Sequence, residues 1–262
     1  MISRLAGFVL LLQLTACAVQ SPVLENAVLE DTDKVLGISQ WQHMALPGKR
    51  ATDYVATQMD GRDVLAVHSE SSASMMRQKI RVLPDDLGQV QFSWKVPELI
   101  AQADMALRNA DDSPVRIVLA FEGDRSRFSA KNAMLSELSN LMTGEPLPYA
   151  TLMYVWCNTR APGSVIVNPR TDRIRKLVVE SGGKNLNQWL DYERDIRADY
   201  ERVFGEPPGA LVGVGIMTDT DNTHTATRAW YGQPRLSSGK RMTKDTAGKG
   251  KKIPQSVLAT LK

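Results

Sequence analysis

The sequence predicts a mainly β fold: an antiparallel β-sandwich or jelly roll with two helical insertions. Short runs rich in β-branched and aromatic residues recur along the chain, and apolar and polar side chains alternate within them, as in strands with one face in the core and one in water. Turn residues separate these runs, and they follow no βαβ rhythm. The chain has 262 residues, 43% of them hydrophobic and 23% charged, which is enough to bury a sizeable core in one domain.

Alternation is clearest in two of the predicted strands. Val90, Phe92 and Trp94 fall on one face of residues 89–96, with polar residues between them. Residues 74–83 show the same period of two, with basic residues on the polar face. This pattern is typical of an antiparallel sheet that covers a core on one side. The full set of predicted strands comprises residues 52–58, 63–68, 74–83, 89–96, 115–121, 150–157, 164–168, 173–180, 211–217 and 225–231.

Two other segments have the spacing of amphipathic helices. Residues 130–142 have apolar side chains three and four positions apart before a glycine, which predicts a helix that packs on the sandwich. Residues 185–204 have a stronger pattern, with Asn185 as the N-cap and Gly205 at the end. The charged residues of this second segment, including Asp199, are interpreted as a solvated helix face. The apolar residues that we expect the first helix to bury are Met134, Leu135, Leu138, Leu141 and Met142.

Residues 1–16 have the layout of a bacterial lipoprotein signal peptide. Arg4 precedes an apolar run that is too short to span a bilayer. Residues 14–17, Leu-Thr-Ala-Cys, resemble a lipobox, which implies a diacylglyceryl group on Cys17 and cleavage just before it. The next residue, Ala18, is not the aspartate that retains lipoproteins in the inner membrane, so the resemblance implies the periplasmic face of the outer membrane. The alternative is an ordinary secretory signal with a chance cysteine at its end.

We therefore divide the chain into a signal peptide (1–16), a tether (17–39), a β-sandwich domain (40–236) and a basic flexible tail (237–262). The tail has seven basic residues and one acidic residue, a net charge of +6, and its polar composition predicts a mobile segment. It either keeps the chain end soluble, which we favour, or makes an electrostatic contact with anionic lipid, lipopolysaccharide or nucleic acid. The net charge of the whole chain is only +3, which excludes a generally basic nucleic-acid-binding protein.

The cysteine count limits the chemistry further. Two cysteines exclude a disulfide framework and a four-thiolate zinc site. If Cys17 carries lipid, Cys157 has no partner, and its apolar neighbours predict a buried, inert thiol. The sequence contains no Walker loop, His-Glu-x-x-His motif or Gly-x-Ser-x-Gly motif. No cofactor is therefore expected, apart from a structural calcium ion at one candidate site.

Three sets of residues are candidates for binding or chemistry. Asp219 and Asp221 are two positions apart in the segment that joins two predicted strands. Their carboxylates there would suit Ca²⁺, although such residues are also common in tight turns. Glu180, at a predicted strand end, is a candidate ligand-binding residue and, with the two aspartates, a candidate for the carboxyl pair of a glycoside hydrolase. Exposed aromatic side chains would suit the apolar faces of sugar rings. The aromatic candidates are Trp156, Trp230 and Tyr231.

Several stretches between residues 111 and 231 carry a family resemblance, among them residues 112–117, 148–156, 168–175, 217–223 and 229–232. Together they resemble a bacterial domain of unknown function, number 3047. The resemblance extends over most of residues 40–235 and implies a secreted or periplasmic protein without an established activity. The order of strands is also similar to that of galactose-binding-like jelly rolls, the fold of many carbohydrate-binding modules, which is an analogy of fold and not of function.

These features predict a lipid-anchored cell-envelope protein whose β-sandwich binds a glycan without catalysis. One alternative is an envelope glycan hydrolase that uses acidic residues, and another is an assembly or scaffold protein whose basic tail contacts a partner. The expected partners are a membrane, through the lipid anchor, and a glycan ligand, with no specific nucleic acid.

Overall fold

The computed structural model describes residues 34–36 and 40–239. These residues form two seven-stranded sheets and two α-helices, so the predicted fold class is confirmed. The signal peptide, Cys17 and the basic residues of the tail lie outside the described residues. Residues 34–35, assigned above to the tether, and 237–238, assigned to the tail, belong to strands. Among the described residues, no helix is long and apolar enough to cross a bilayer.

The strands have bounds close to those predicted. Alternation in the sequence predicts ten of them and misses the first, second, eleventh and fourteenth. In chain order, strands β1 to β14 are Lys34–Val35, Gln42–Ala45, Asp53–Met59, Arg62–Glu70, Ala73–Val82, Leu87–Lys95, Ser113–Phe121, Ala150–Cys157, Val165–Val167, Ile174–Ser181, Trp189–Asp195, Leu211–Asp219, Ala226–Gly232 and Arg235–Ser238, and helices α1 and α2 are Ala130–Thr143 and Ile196–Phe204.

The chain passes repeatedly between the two sheets, as in jelly-roll folds. Sheet A has the order β1-β14-β6-β13-β4-β3, with β11 also paired to β6. Sheet B has the order β2-β5-β12-β7-β8-β10-β9. The pairs are antiparallel, as predicted, except that β8 and β10 run parallel. This parallel pair arises because the chain makes the short strand β9 at the sheet edge before it returns as β10.

The inner faces of the two sheets form the main core. Phe92 of sheet A stacks on Tyr154 of sheet B, with ring centroids 5.5 Å apart. Trp94 is fully buried beside Phe92. Burying one such side chain contributes roughly 1.5–3 kcal/mol. The sheets are therefore held together by the apolar face that the alternation in residues 89–96 predicts.

Sheet B is also covered on its outer face. All eight residues of β8 are buried, because the segment between β6 and β7 lies over the sheet. Met105 of that segment belongs to the same apolar cluster as Met153 and Met217. Cys157, which is 3% exposed, belongs to this cluster too, so its predicted burial is confirmed. By contrast, the outward residues of β3 and β11 are exposed or half-buried, so the outer face of sheet A is open to solvent.

Helix α1 has the predicted bounds, but its polar side and not its apolar side faces the sandwich. It ends before Gly144, whose left-handed φ of 73° stops the helix. Asn132 and Ser136 are buried, because polar groups of the sandwich face this helix and Asn132 hydrogen-bonds to Asp172. The expectation of a buried apolar face is therefore wrong. Four of its predicted core residues are between 50% and 82% exposed: Met134, Leu138, Leu141 and Met142.

The second predicted helix, residues 185–204, is divided between β11 and α2. Strand β11 pairs along β6, and Tyr192 points to the core while its neighbours point outward. The N-cap is Asp195, whose carboxylate accepts a hydrogen bond from the backbone N–H of Ala198 at 2.9 Å. Asp199, expected on a solvated face, is 5% exposed and hydrogen-bonded to an arginine of β11. The apolar residues before Asp195, which we assigned to a helix, therefore belong to a strand and follow its period of two.

Glu145, just after α1, fixes this helix to sheet B. Arg77 and Lys79 of β5 donate hydrogen bonds to its carboxylate at 2.7–2.9 Å. These bonds lower the pKa of Glu145 from 4.5 to about 2. The ionised carboxylate therefore stabilises the fold above pH 4.5, and this stabilisation is lost as the pH falls from 4.5 towards 2.

We expect Glu145→Gln to lower the free energy of unfolding by about 1 kcal/mol or less at pH 7, because the side chain is 39% exposed and solvent weakens the ion pair. The difference between variant and wild type should shrink as the pH falls below 4.5. Urea unfolding at several pH values measures it. Glu137→Gln, an exposed residue of α1 without an ion pair among the described residues, is the control. A loss that is the same at every pH would contradict the assignment.

Candidate functional site

A row of side chains crosses the open outer face of sheet A. In register, Trp189 of β11 lies beside Lys95 of β6, and Lys95 lies beside Trp230 of β13. The same row continues through Ala66 and Val55. Since neighbouring strands are about 4.8 Å apart, the Cα atoms of the two tryptophans are separated by roughly 10 Å. Both tryptophans are partly exposed, and the row ends in small or apolar side chains.

A polar concavity of about 650 Å³ adjoins this row. Ser93 and Gly232 form part of its floor, where a Cβ at Gly232 would overlap the Ser93 hydroxyl. A larger residue at this position would therefore require the Ser93 hydroxyl to move. The concavity is lined by side chains that donate or accept several hydrogen bonds: Arg62, Gln91, Asp191, Glu193, Gln233 and Arg235.

Trp189 is held in place by charged neighbours. Its indole N–H donates to the carboxylate of Asp60 at 3.0 Å, and the guanidinium of Arg62 lies 4.9 Å from its ring centroid. Arg62 in turn pairs with Asp191 at 2.9 Å. Hydrogen bonds from Lys95 and Trp189 lower the pKa of Asp60. One side of the Trp189 ring is therefore covered, and its polar edge is already bonded.

Trp230 is less constrained by its neighbours than Trp189, so its ring is more accessible to a ligand. It borders a second concavity of about 840 Å³, on the β3 side of the row, together with Asp53, His68 and Arg228. Within the described residues, the indole N–H of Trp230 donates no hydrogen bond. The structure therefore places this predicted residue at the surface of sheet A, between the polar concavity and a second one that His43 and Met76 of sheet B also line.

The other two aromatic candidates are buried, and that part of the prediction is corrected. Trp156 and Tyr231 are each 1% exposed. The Trp156 indole donates to the Gly182 carbonyl at 3.0 Å, and the Tyr231 hydroxyl donates to the Met217 carbonyl at 2.7 Å. Both side chains therefore belong to the core and cannot stack on a ligand.

The structure separates Glu180 from the aspartates. The Glu180 carboxylate accepts a hydrogen bond from Tyr192 of sheet A at 2.9 Å, so it points to the inner side of the sandwich. Asp219 points to the outer side of sheet B, on a strand three places away in the sheet order. Three strand spacings amount to about 14 Å, which exceeds the roughly 5–10 Å that a hydrolase requires. These residues therefore form no hydrolytic pair.

Asp219 and Asp221 do lie together, in a cluster with Asp112. Their carboxylate oxygens lie within 4.8 Å of one another. Protein donors already contact each of them: Asp112 accepts from the loop after β12, Asp219 from the backbone N–H of Ser113, and Asp221 from Lys49. The predicted calcium ion therefore stays a prediction.

Sequence reasoning missed a buried charge cluster beside these aspartates. Arg116, 3% exposed, donates to Asp219 at 2.9 Å and to Asp111 at 3.2 Å. Lys176 is fully buried and donates to Asp111 at 2.6 Å and to the Met105 carbonyl at 2.9 Å. The cluster thus fastens the segment over sheet B. No local signal predicts it, because its members come from three distant parts of the chain, around residues 111–116, 176 and 219.

Burial dominates the titration of this cluster. Burial raises the pKa of Asp219 to about 7, although the Arg116 guanidinium beside it favours the ionised form. Burial and the charge of Arg116 together lower the pKa of Lys176 to about 8. The ionised forms of Asp219 and Lys176 are therefore stabilised in this buried site only by the groups of opposite charge beside them.

A model of the family described as "Protein of unknown function (DUF3047)" matches residues 39–235. The chain belongs to the DUF3047 family. This confirms the resemblance read from the sequence and covers nearly all of the described sandwich. A comparison with curated proteins finds no match.

Several solved structures are similar to this DUF3047 protein over most of its length. One is a family 11 carbohydrate-binding module from Clostridium thermocellum in complex with a β-1,3-1,4-mixed-linked tetrasaccharide, with 10% identity, 78% of this chain and 95% of that chain covered, and a TM-score of 0.36. Another is the xyloglucanase domain of NopAA from Sinorhizobium fredii, with 9% identity, coverages of 78% and 97%, and a TM-score of 0.41. At these values the likeness carries no argument about what the DUF3047 protein binds.

We expect Arg116→Met to lower the free energy of unfolding by about 3–5 kcal/mol, because it leaves the buried Asp219 carboxylate without its counter-charge, whereas Asp111 keeps Lys176. Urea unfolding measures the loss. A second change, Asp219→Asn on the Arg116→Met background, should recover part of it. Arg228→Met, at an exposed position of sheet A, is the control and should change stability by less than about 0.5 kcal/mol. A loss below about 1 kcal/mol for Arg116→Met would contradict the role of the cluster.

Proposed function

We propose that this DUF3047 protein is a non-catalytic glycan-binding protein of the cell envelope, attached by a lipid on Cys17 to the periplasmic face of the outer membrane. The observation that supports glycan binding is the partly exposed indole of Trp230, in one row with Trp189 and between a polar concavity and a more apolar one. Binding sites are typically concave and combine apolar surface with a few oriented polar groups.

The chemistry of this face suits a sugar chain. The apolar C–H face of a pyranose ring stacks on an indole ring, as at Trp230. Sugar hydroxyl groups both donate and accept hydrogen bonds. They therefore bind carboxylates, which have two acceptor oxygens, and guanidinium groups, which have several N–H donors. Arg62, Asp191 and Glu193 on one side of the row supply such groups, and Arg228 supplies them on the other. An extended glycan that crosses the strands would contact both concavities.

Binding without hydrolysis is favoured by the hydrogen bonds of the acidic residues. Asp191 and Glu193 are two residues apart on β11, and the third acid of the concavity, Asp63 of β4, accepts a hydrogen bond from Gln58 at 3.1 Å. Glycoside hydrolysis needs two carboxyl groups that flank the scissile bond. Asp191 is paired with Arg62, and Glu193 accepts a hydrogen bond from Gln91 at 2.7 Å. Hydrolysis therefore has less support than binding.

We expect Trp230→Ala to weaken retention on an immobilised polysaccharide array about ten-fold, because one stacking platform is worth roughly 1–2 kcal/mol. Leu141→Ala, at an exposed position on α1, is the control and should leave retention unchanged. Reducing ends are measured on the same polysaccharides. Equal retention of Trp230→Ala and wild type, or release of reducing ends by wild type, would contradict the proposal.

We expect mass spectrometry of the protein purified from membranes to find an acylated cysteine at residue 17 as the first residue. Cys17→Ser should abolish acylation and move the protein out of the membrane fraction, because no acyl group can then form on the thiol. Cys157→Ser, which changes the buried thiol, is the matched control and should leave acylation intact. An unmodified N-terminus would contradict the anchor while leaving glycan binding open.

A further inference from the structure

Helix α1 presents an apolar stripe to solvent. Met134, Leu138, Leu141 and Met142 are 63%, 50%, 82% and 58% exposed, and their spacing places them on one side of the helix. Lys131 lies on the same side, one turn before the stripe. An ordinary surface helix has the reverse arrangement, with its apolar side on the core. The exposed apolar stripe therefore indicates a contact with another molecule or surface.

Hydrogen bonds from the polar side fix this orientation. Asn132 donates to Asp172 at 2.6 Å and accepts from Thr171 at 2.7 Å. Ser136 accepts from Arg125 at 3.1 Å. Rotating the helix to bury the leucines would break these bonds and leave buried polar groups unpaired, which is costly. The exposed stripe is thus a stable feature of the fold.

We infer that this apolar side of α1 lies on the surface of a lipid bilayer. An interfacial helix buries an apolar face among the acyl chains and keeps basic residues at the headgroups, as the stripe and Lys131 would allow. The 17 residue steps between Cys17 and Lys34 can span up to about 60 Å, so a lipid on Cys17 permits this contact. The tail, with its charge of +6, would add attraction to anionic lipid.

A second copy of the chain fits this stripe less well. From Met134 to Met142 the stripe is about 12 Å long and one helix, or roughly 10 Å, wide. A stable protein interface buries about 800 Å² on each partner, far more than such a strip offers. Glu145 ties α1 to sheet B, so a bilayer contact through α1 would also leave the outer face of sheet A accessible from the aqueous side.

The test uses the full mature chain with Cys17→Ser, which carries no lipid, and vesicles of phosphatidylethanolamine and phosphatidylglycerol. We expect wild-type α1 to give measurable co-sedimentation, and Leu138→Gln with Leu141→Gln to reduce the partition coefficient about ten-fold or more, because two exposed leucines no longer enter the acyl region. Leu83→Gln, 51% exposed between β5 and β6, is the matched control and should bind as wild type does. Unfolding midpoints verify that all variants are folded.

Three results would overturn the inference. The first is equal partitioning of the double leucine variant and the control. The second is an absence of vesicle binding by the wild-type helix. The third is a dimer in analytical ultracentrifugation that the leucine changes dissociate, since a second copy would then occupy the stripe. A chain ending at Gly239 separates the contribution of the tail, and the leucine effect should persist in it. These measurements use no glycan and no acyl group, so their outcome is independent of the proposed function.

Discussion

Sheet B buries its inner face against sheet A and its outer face under the segment between β6 and β7, and this double burial decides which surfaces remain for binding. Every residue of β8 is buried as a result. The outer face of sheet A and the outer side of α1 stay in contact with water. The two candidate interaction surfaces are therefore the parts of the molecule that the packing of sheet B leaves uncovered.

The segment between β6 and β7 is held on the outer face of sheet B by ion pairs as well as by apolar contacts. Arg116 and Lys176 meet Asp111 and Asp219 out of contact with water. Desolvating four charged groups is costly, and only their mutual attraction and hydrogen bonds offset the cost. Such a cluster accepts few other arrangements of the chain, because any mispaired member would be a buried, uncompensated charge. It therefore specifies where the segment lies, more than it adds to net stability.

Local pattern predicts most of this fold, and tertiary context decides the rest. Strands such as 89–96 were predictable because burial of one face imposes a period of two on the sequence. Residues 189–195 were not, since a short apolar segment fits a helix and a strand almost equally well. The inverted side of α1 was missed because Asn132 and Ser136 have partners that are distant in sequence. For the same reason, the sequence could nominate Trp156, Trp230 and Tyr231 alike, whereas only the structure shows that Trp230 is accessible.

The position of Cys157 gives the molecule a built-in reporter. Its thiol lies 3% exposed in the outer layer of sheet B, away from the inner core. An alkylating reagent can reach it only after that layer detaches, so the labelling rate would time a local opening separately from global unfolding. In an oxidising compartment, the same layer shields an unpaired thiol from mixed disulfides. The charge cluster that holds the segment over sheet B therefore also limits the access of reagents to this thiol.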